Sequence, residues 1–128
     1  TNRSWLVLTI VAAIVIGPGC QSFQERVLLK KGNELYTAQK YEEAIVQYDE
    51  LVKLDPTNWD GNYLMAVSYL ALYHPGSEHE KDKEFAAKGL AAFERFYLRR
   101  AMTEEKGDAE AAARRAGVSV AELRARIG

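Results

Sequence analysis

The chain has 128 residues, 17 of them Lys or Arg and 18 Asp or Glu, for a net charge of −1. That near-neutrality excludes a bulk field drawing the protein to nucleic acid or anionic lipid, and the length leaves room for one small domain. The single cysteine, Cys20, excludes an internal disulfide and a thiolate metal cluster. The first element is Trp5 to Ile16, twelve residues without a charge, preceded by Arg3 and followed by Gly17-Pro18-Gly19-Cys20. As a helix it spans roughly 18 Å, short of the ~30 Å hydrocarbon core of a bilayer. A basic start, an apolar centre and small residues before a break are the layout of a signal segment. A retained anchor is the alternative: Trp5 to Phe23 is nineteen residues, nearly enough to span. Residues 1–21 are thus expected to be a signal or membrane-anchor helix. Basic residues stand on both sides of it, so flanking charge does not orient it, and the signal-like layout places the remaining chain on the extracytoplasmic side.

Gly19-Cys20 resembles the end of the lipobox of bacterial lipoproteins. The resemblance implies that Cys20 is diacylated after cleavage. Gly17 stands where that motif usually has Leu, and Pro18 is uncommon in it.

Ser22 and Glu25 are spaced as a capping box, which predicts a helix from Phe23 to about Ala38. Leu28, Leu35 and Ala38 share one face of it. Tyr41, Ala44, Ile45, Tyr48, Leu51 and Val52 recur at helical spacing in the next segment, which Asp55-Pro56 terminates. Gly32 and Ala44 are small enough for the two backbones to approach closely. The stretch Gly32–Pro56 resembles a tetratricopeptide repeat. Gly32, Leu35, Tyr41, Ala44, Tyr48 and Pro56 fill the family's positions, while Leu28 replaces its early Trp and Lys31 an apolar residue.

Thr57 to Asp60 offers a second capping box, opening a helix from about Asn58 to Tyr73 with Met65, Ala66, Tyr69 and Leu72 on its apolar stripe. Ala66 and Tyr69 stand 34 residues after Gly32 and Leu35, the period of the repeat. His74-Pro75-Gly76-Ser77 ends this helix, and Ser77 with Glu80 is spaced to cap the next. Gly89 to Phe96 aligns with Ala44 to Leu51, so the second repeat carries eleven extra residues, from His74 to about Glu84. They are expected to form a surface loop and added helical turns, a candidate contact element. The two repeats together cover residues 22–102.

After a polar break, Asp108 is expected to cap a helix over Ala109–Ala116. Gly117 should close it in the left-handed region, and Ser119 with Glu122 should open a last helix to Ile127. Residues 103–128 are read as a helical cap over the exposed end of the solenoid. The tail also resembles the helix-turn-helix of Fis-type DNA-binding proteins, through Ala113 to Ser119, which implies Arg124 and Arg126 facing DNA. Seven basic against five acidic residues from Arg99 onward give only +2, thin for phosphate contacts.

The fold class is therefore all-α: a two-repeat solenoid with capping helices at its C-terminus and a hydrophobic helix at its N-terminus. No nucleophile elbow, phosphate-cradling Gly loop or partnered His points to catalysis, and no cofactor is expected. His74, Glu78, His79 and Glu80 surround a Pro-Gly turn without metal-ligand spacing, which favours a solvated loop. The tetratricopeptide resemblance implies a concave groove lined by Arg26, Leu29, Asn33, Tyr36, Tyr63, Val67 and Leu70. Asn33 matches the asparagine by which some family members hold a peptide carboxylate, but Leu29 replaces the lysine that accompanies it. The alternative is that the C-terminal helices fill this groove. The function expected is a non-catalytic, membrane-attached adaptor or accessory subunit with protein partners, in a secretion, pilus, respiratory or photosynthetic assembly. The alternative is a DNA-binding regulator that uses the tail.

Overall fold

The computed structural model describes residues 18–128. The apolar run Trp5–Ile16 lies outside the described residues, and among these no helix is long and apolar enough to cross a membrane. Six α-helices follow one another: α1 Pro18–Thr37, α2 Tyr41–Leu54, α3 Trp59–Leu72, α4 Glu80–Glu104, α5 Ala109–Ala116 and α6 Val120–Ile127. No strand occurs among the described residues. Each of the first four helices packs on the next, and α5 and α6 pack on α4 and on each other.

α1 begins at Pro18, not at Phe23. Proline suits a first helical turn, where its missing N–H would have had no partner. Ser22 is therefore inside the helix and is not its cap. Its carbonyl accepts a hydrogen bond from Arg26 Nε at 3.3 Å. The helix ends in a Schellman turn: Lys40 N–H reaches Leu35 O and Gln39 N–H reaches Tyr36 O, both at 2.9 Å. Gln39 takes the left-handed position, with φ 60°. A side chain there costs roughly 1–2 kcal/mol, and glycine forfeits about 0.5–1 kcal/mol through its freer unfolded chain. Gln39→Gly is expected to stabilise the protein by about 0.5–1 kcal/mol, read as a raised Tm. An unchanged or lowered Tm refutes the assignment of strain to this turn.

α1 and α2 meet where Gly32 faces the ring of Tyr48. A Cβ on Gly32 would lie 2.5 Å from Tyr48 Cε1, so the missing side chain is what lets the helices close. Asp55, in extended conformation, ends α2. Its carboxylate accepts from Thr57 N at 2.9 Å and from Thr57 Oγ1 at 2.5 Å. Thr57 is thereby engaged, and Asn58 caps α3 instead, its Oδ1 accepting from Gly61 N at 3.2 Å. α3 and α4 approach at a second small residue, Gly89, whose Cβ would lie 3.3 Å from Tyr69 Cβ.

Ser77 likewise does not cap α4. His79 precedes the helix without a side-chain bond to it, and Ser77 turns to Asp82, donating to Oδ2 at 2.6 Å. α4 then runs to Glu104, a few residues beyond the expected end. Asp108 caps α5 through bonds from Glu110 N and Ala111 N, both at 3.0 Å. Gly117 closes it at φ 72°. Ser119 and Glu122 form a complete capping box on α6.

Burial divides between two cores. The first gathers Ala44, Ile45 and Tyr48 of α2, Met65 and Ala66 of α3, and Ala92 of α4. The second gathers Leu98 and Ala101 of α4, Ala112 and Ala113 of α5, and Leu123 of α6. α4 spans both, its first half closing the repeat-like hairpins and its second half carrying the tail.

Candidate functional site

One side of α1 presents a shallow depression lined by Arg26, Leu29, Lys30, Asn33, Glu34 and Thr37, with half-buried Leu29 at its floor packed against the first core. The 3.6-residue period puts 26, 29, 30, 33 and 37 along one side of the helix. Three of the expected groove residues, Arg26, Leu29 and Asn33, are brought together here. Lys30, Glu34 and Thr37 complete the surface and were recoverable from the same spacing. Lys30 Nζ and Glu34 Oε1 are 3.9 Å apart, and Thr37 Oγ1 donates to Asn33 O at 2.9 Å.

Asn33 is held from below. The hydroxyl of Tyr48 donates to its Oδ1 at 2.7 Å. Burial first, and the neighbouring Tyr36 second, push the Tyr48 phenol up to about 12, so the hydroxyl stays protonated and remains a donor. With Oδ1 occupied as an acceptor, the amide Nδ2 is left to donate to whatever lies on α1. The arrangement offers one oriented amide donor, one cation at Arg26 and an apolar Leu29 between them, a combination suited to a peptide backbone and one side chain.

The other expected groove residues are placed differently. Tyr36 makes an edge contact with Tyr41, centroids 5.2 Å apart. Tyr63 packs on Phe93 at 6.0 Å and Phe96 at 5.2 Å. Leu70 leans on Gly89 of α4, and Val67 is half-buried on α3. Tyr63 and Leu70 thus contact α4 while remaining part-exposed. α5 and α6 lie against α4 and leave Arg26 and Asn33 exposed.

A second depression, absent from the sequence reading, lies between the start of α1 and the end of α2, lined by Phe23, Gln24, Val27, Leu28, Glu50 and Leu54. Cys20 is exposed nearby on α1. The Phe23–Val27 pair stands four apart on an exposed face, a signal the search for core periodicity passes over.

The connection between α3 and α4 is built around a carboxylate. Asp82 Oδ1 accepts from His74 N at 3.1 Å and lies 3.0 Å from His74 Nδ1, while Ser77 holds Oδ2. Glu78 and Glu80 both approach Lys83, at 3.8 and 3.1 Å. The Ser77 hydroxyl, and then His74, hold the Asp82 carboxyl at about 2, below its ordinary 3.8. A carboxyl depressed in the folded state stabilises the fold fully above its unfolded pKa, and that contribution is lost as pH falls through the folded value. Acid titration is expected to loosen this connection between about pH 4 and pH 2. Asp82→Ala should flatten the stability-versus-pH slope in that window, and an unchanged slope refutes the role given to Asp82.

In the tail, Arg124 is exposed. Arg126 is engaged with Glu94 and lies 3.7 Å from Glu122, and Arg115 pairs with Glu104 and Glu105 at 2.6 and 2.9 Å. Two of the tail's cations are therefore already spent on carboxylates of the same chain.

Comparison with curated proteins gave no match, and neither did comparison with solved structures. Residues 32–72 match the family model described as TPR repeat. The match runs from the Gly32 contact through α2 to the end of α3, so this part of the chain is similar to a tetratricopeptide repeat.

Proposed function

We propose that the protein is a non-catalytic, membrane-attached adaptor whose repeat unit binds a segment of a protein partner along α1, as an accessory subunit of a membrane assembly. TPR repeats are typically protein-interaction modules, and the match over residues 32–72 supports that role. The observation that carries the reading is the depression of Arg26, Leu29 and Asn33, left open among the described residues, with Asn33 held in a donor orientation by buried Tyr48. Membrane attachment rests on the uncharged run Trp5–Ile16 and on Gly19-Cys20. Either a retained anchor or a lipid on Cys20 sets α1 beside the bilayer, and the signal-like layout favours the extracytoplasmic side.

The test is capture from mild detergent with the full chain, wild type against Arg26→Glu, with bound proteins identified by mass spectrometry. Arg26→Glu reverses an exposed cation in the depression without touching the core. The expected result is a defined partner retained by wild type and lost by a variant of unchanged Tm. An identical bound set from both chains overturns the assignment of the α1 face. Recovery of the chain in the soluble fraction of its own cells overturns the membrane part.

A further inference from the structure

The partner segment is not the only surface α1 has to satisfy. Gly32 faces α2 and is buried, so the opposite side of the helix points outward. On that outward side lie Phe23 and Val27, 63 % and 46 % exposed, followed by Lys30 and Lys31 and flanked by Arg26, all exposed. At 100° per residue these positions fall within less than half the circumference of α1. Glu34 is the acidic residue on the same side, and it is drawn to Lys30. The apolar patch continues over Leu28 onto Leu54 of α2, with Glu50 at its rim.

We propose that this outward stripe of α1 lies on an anionic lipid surface. The inference rests on the membrane attachment proposed above and adds which face of the domain meets the bilayer. An apolar pair flanked by three cations is the pattern of a helix seated in the interfacial plane, rings and branched chains at the acyl boundary and ammonium groups at the phosphates. The uncharged run ends at Ile16 and α1 begins at Pro18. Phe23 is therefore within about 8 Å of the start of α1, at ~1.5 Å per residue, close enough to the attachment point that the stripe and the bilayer meet without a linker. Glu34 answers Lys30 alone, so an apolar peptide would leave the charges of Arg26 and Lys31 uncompensated around Phe23 and Val27, whereas phosphate headgroups supply the missing negative partners. The depression of Leu29 and Asn33 shares Arg26 and Lys30 with the edge of the stripe, so a segment bound there would run just above the headgroups.

The experiment uses the full chain carrying Trp5→Phe, incorporated into vesicles of brominated phosphatidylcholine with phosphatidylglycerol. Phe23→Trp is compared with Leu90→Trp, placed on α4 where the native side chain is 67 % exposed. Sedimentation with the vesicles is measured first. The expected result is co-sedimentation of both chains, with the fluorescence added at position 23 quenched at least twofold more than that added at position 90. Adding Lys30→Glu and Lys31→Glu to the Phe23→Trp chain should bring its quenching down to the level at position 90. Equal quenching at 23 and 90 in co-sedimenting chains overturns the proposal and leaves membrane attachment standing. Failure to co-sediment overturns both.

Discussion

Gly32→Leu is expected to leave the α1–α2 hairpin unable to close. Even a single added Cβ would meet Tyr48 Cε1 at 2.5 Å, Cδ1 at 2.9 Å and Cζ at 3.0 Å. Tyr48 is fully buried and its hydroxyl is fixed on Asn33, so the ring has neither space nor a free end to swing. Overpacking of this kind commonly costs ~1–3 kcal/mol, and a branched side chain against a trapped ring belongs at the top of that range. Gly32→Ala sets two effects against each other. Alanine gains about 1 kcal/mol of helix propensity over glycine, yet the clash occurs at backbone-fixed Cβ, where no rotamer relieves it. The clash should win, giving a lowered Tm. Gly89→Ala is the contrast, because its nearest neighbour, Tyr69 Cβ, stands at 3.3 Å. That neighbour has only to give by tenths of an ångström, and Gly89→Ala should be close to neutral. Thermal denaturation of the three variants reads the order directly. A Gly32→Leu protein melting with wild type would show that Gly32 does not set the helix approach.

The same contact links fold to site. Tyr48 is a core residue by burial, and its hydroxyl is the device that orients Asn33. Tyr48→Phe keeps the ring and removes the hydroxyl, freeing the amide to rotate. Weakened partner capture with an intact hairpin would separate the orienting role of Tyr48 from its packing role.

What the sequence made legible depended on how far each residue's partner lay. Asp108 bonds to N–H groups two and three residues away, Gly117 closes its own turn, and Ser119 exchanges bonds with Glu122. Those caps are local chemistry, and reading them requires no tertiary knowledge. Ser22, Thr57 and Ser77 carry the same local pattern and do something else. Ser22 is swallowed because α1 starts at Pro18. Thr57 is claimed by Asp55, and Ser77 by Asp82. In the last two a nearby carboxylate outbids the backbone, a competition that pattern spacing does not rank. The close approach at Gly32 was readable because the repeat that the segment resembles places a small residue there. The site divided in a similar way. Arg26, Leu29 and Asn33 follow from spacing along one helix. The contacts of Tyr63 and Leu70 depend on Phe93, Phe96 and Gly89 of α4, whose register is shifted by the extra residues after His74. The left-handed Gln39 had no signal at all, since nothing in its side chain favours that backbone.

Leu123→Ala is expected to cost ~2–5 kcal/mol, the range for emptying a buried leucine site. Leu123 is fully buried and is the buried apolar residue that α6 contributes to the second core, opposite Leu98 and the alanines of α4 and α5. Ala112 and Ala113 are too small to collapse into the space, which argues for the upper half of the range. The manner of the loss is more informative than its size. α5 and α6 pack mainly on α4 and on each other, and the two cores share no buried residue. Removing Leu123 should therefore free α5, α6 and the last turns of α4 while the first core stays closed, a sub-global opening rather than a lower global Tm alone. Amide hydrogen exchange resolves this: protection should fall over residues 98–127 and persist around Tyr48 and Ala66. Uniform loss of protection would mean that α4 transmits the damage along its full length and that the tail is part of one cooperative unit with the repeat. Persistence of the first core would leave Arg26, Leu29 and Asn33 in place on α1, and partner capture by Leu123→Ala below its first transition should then match wild type.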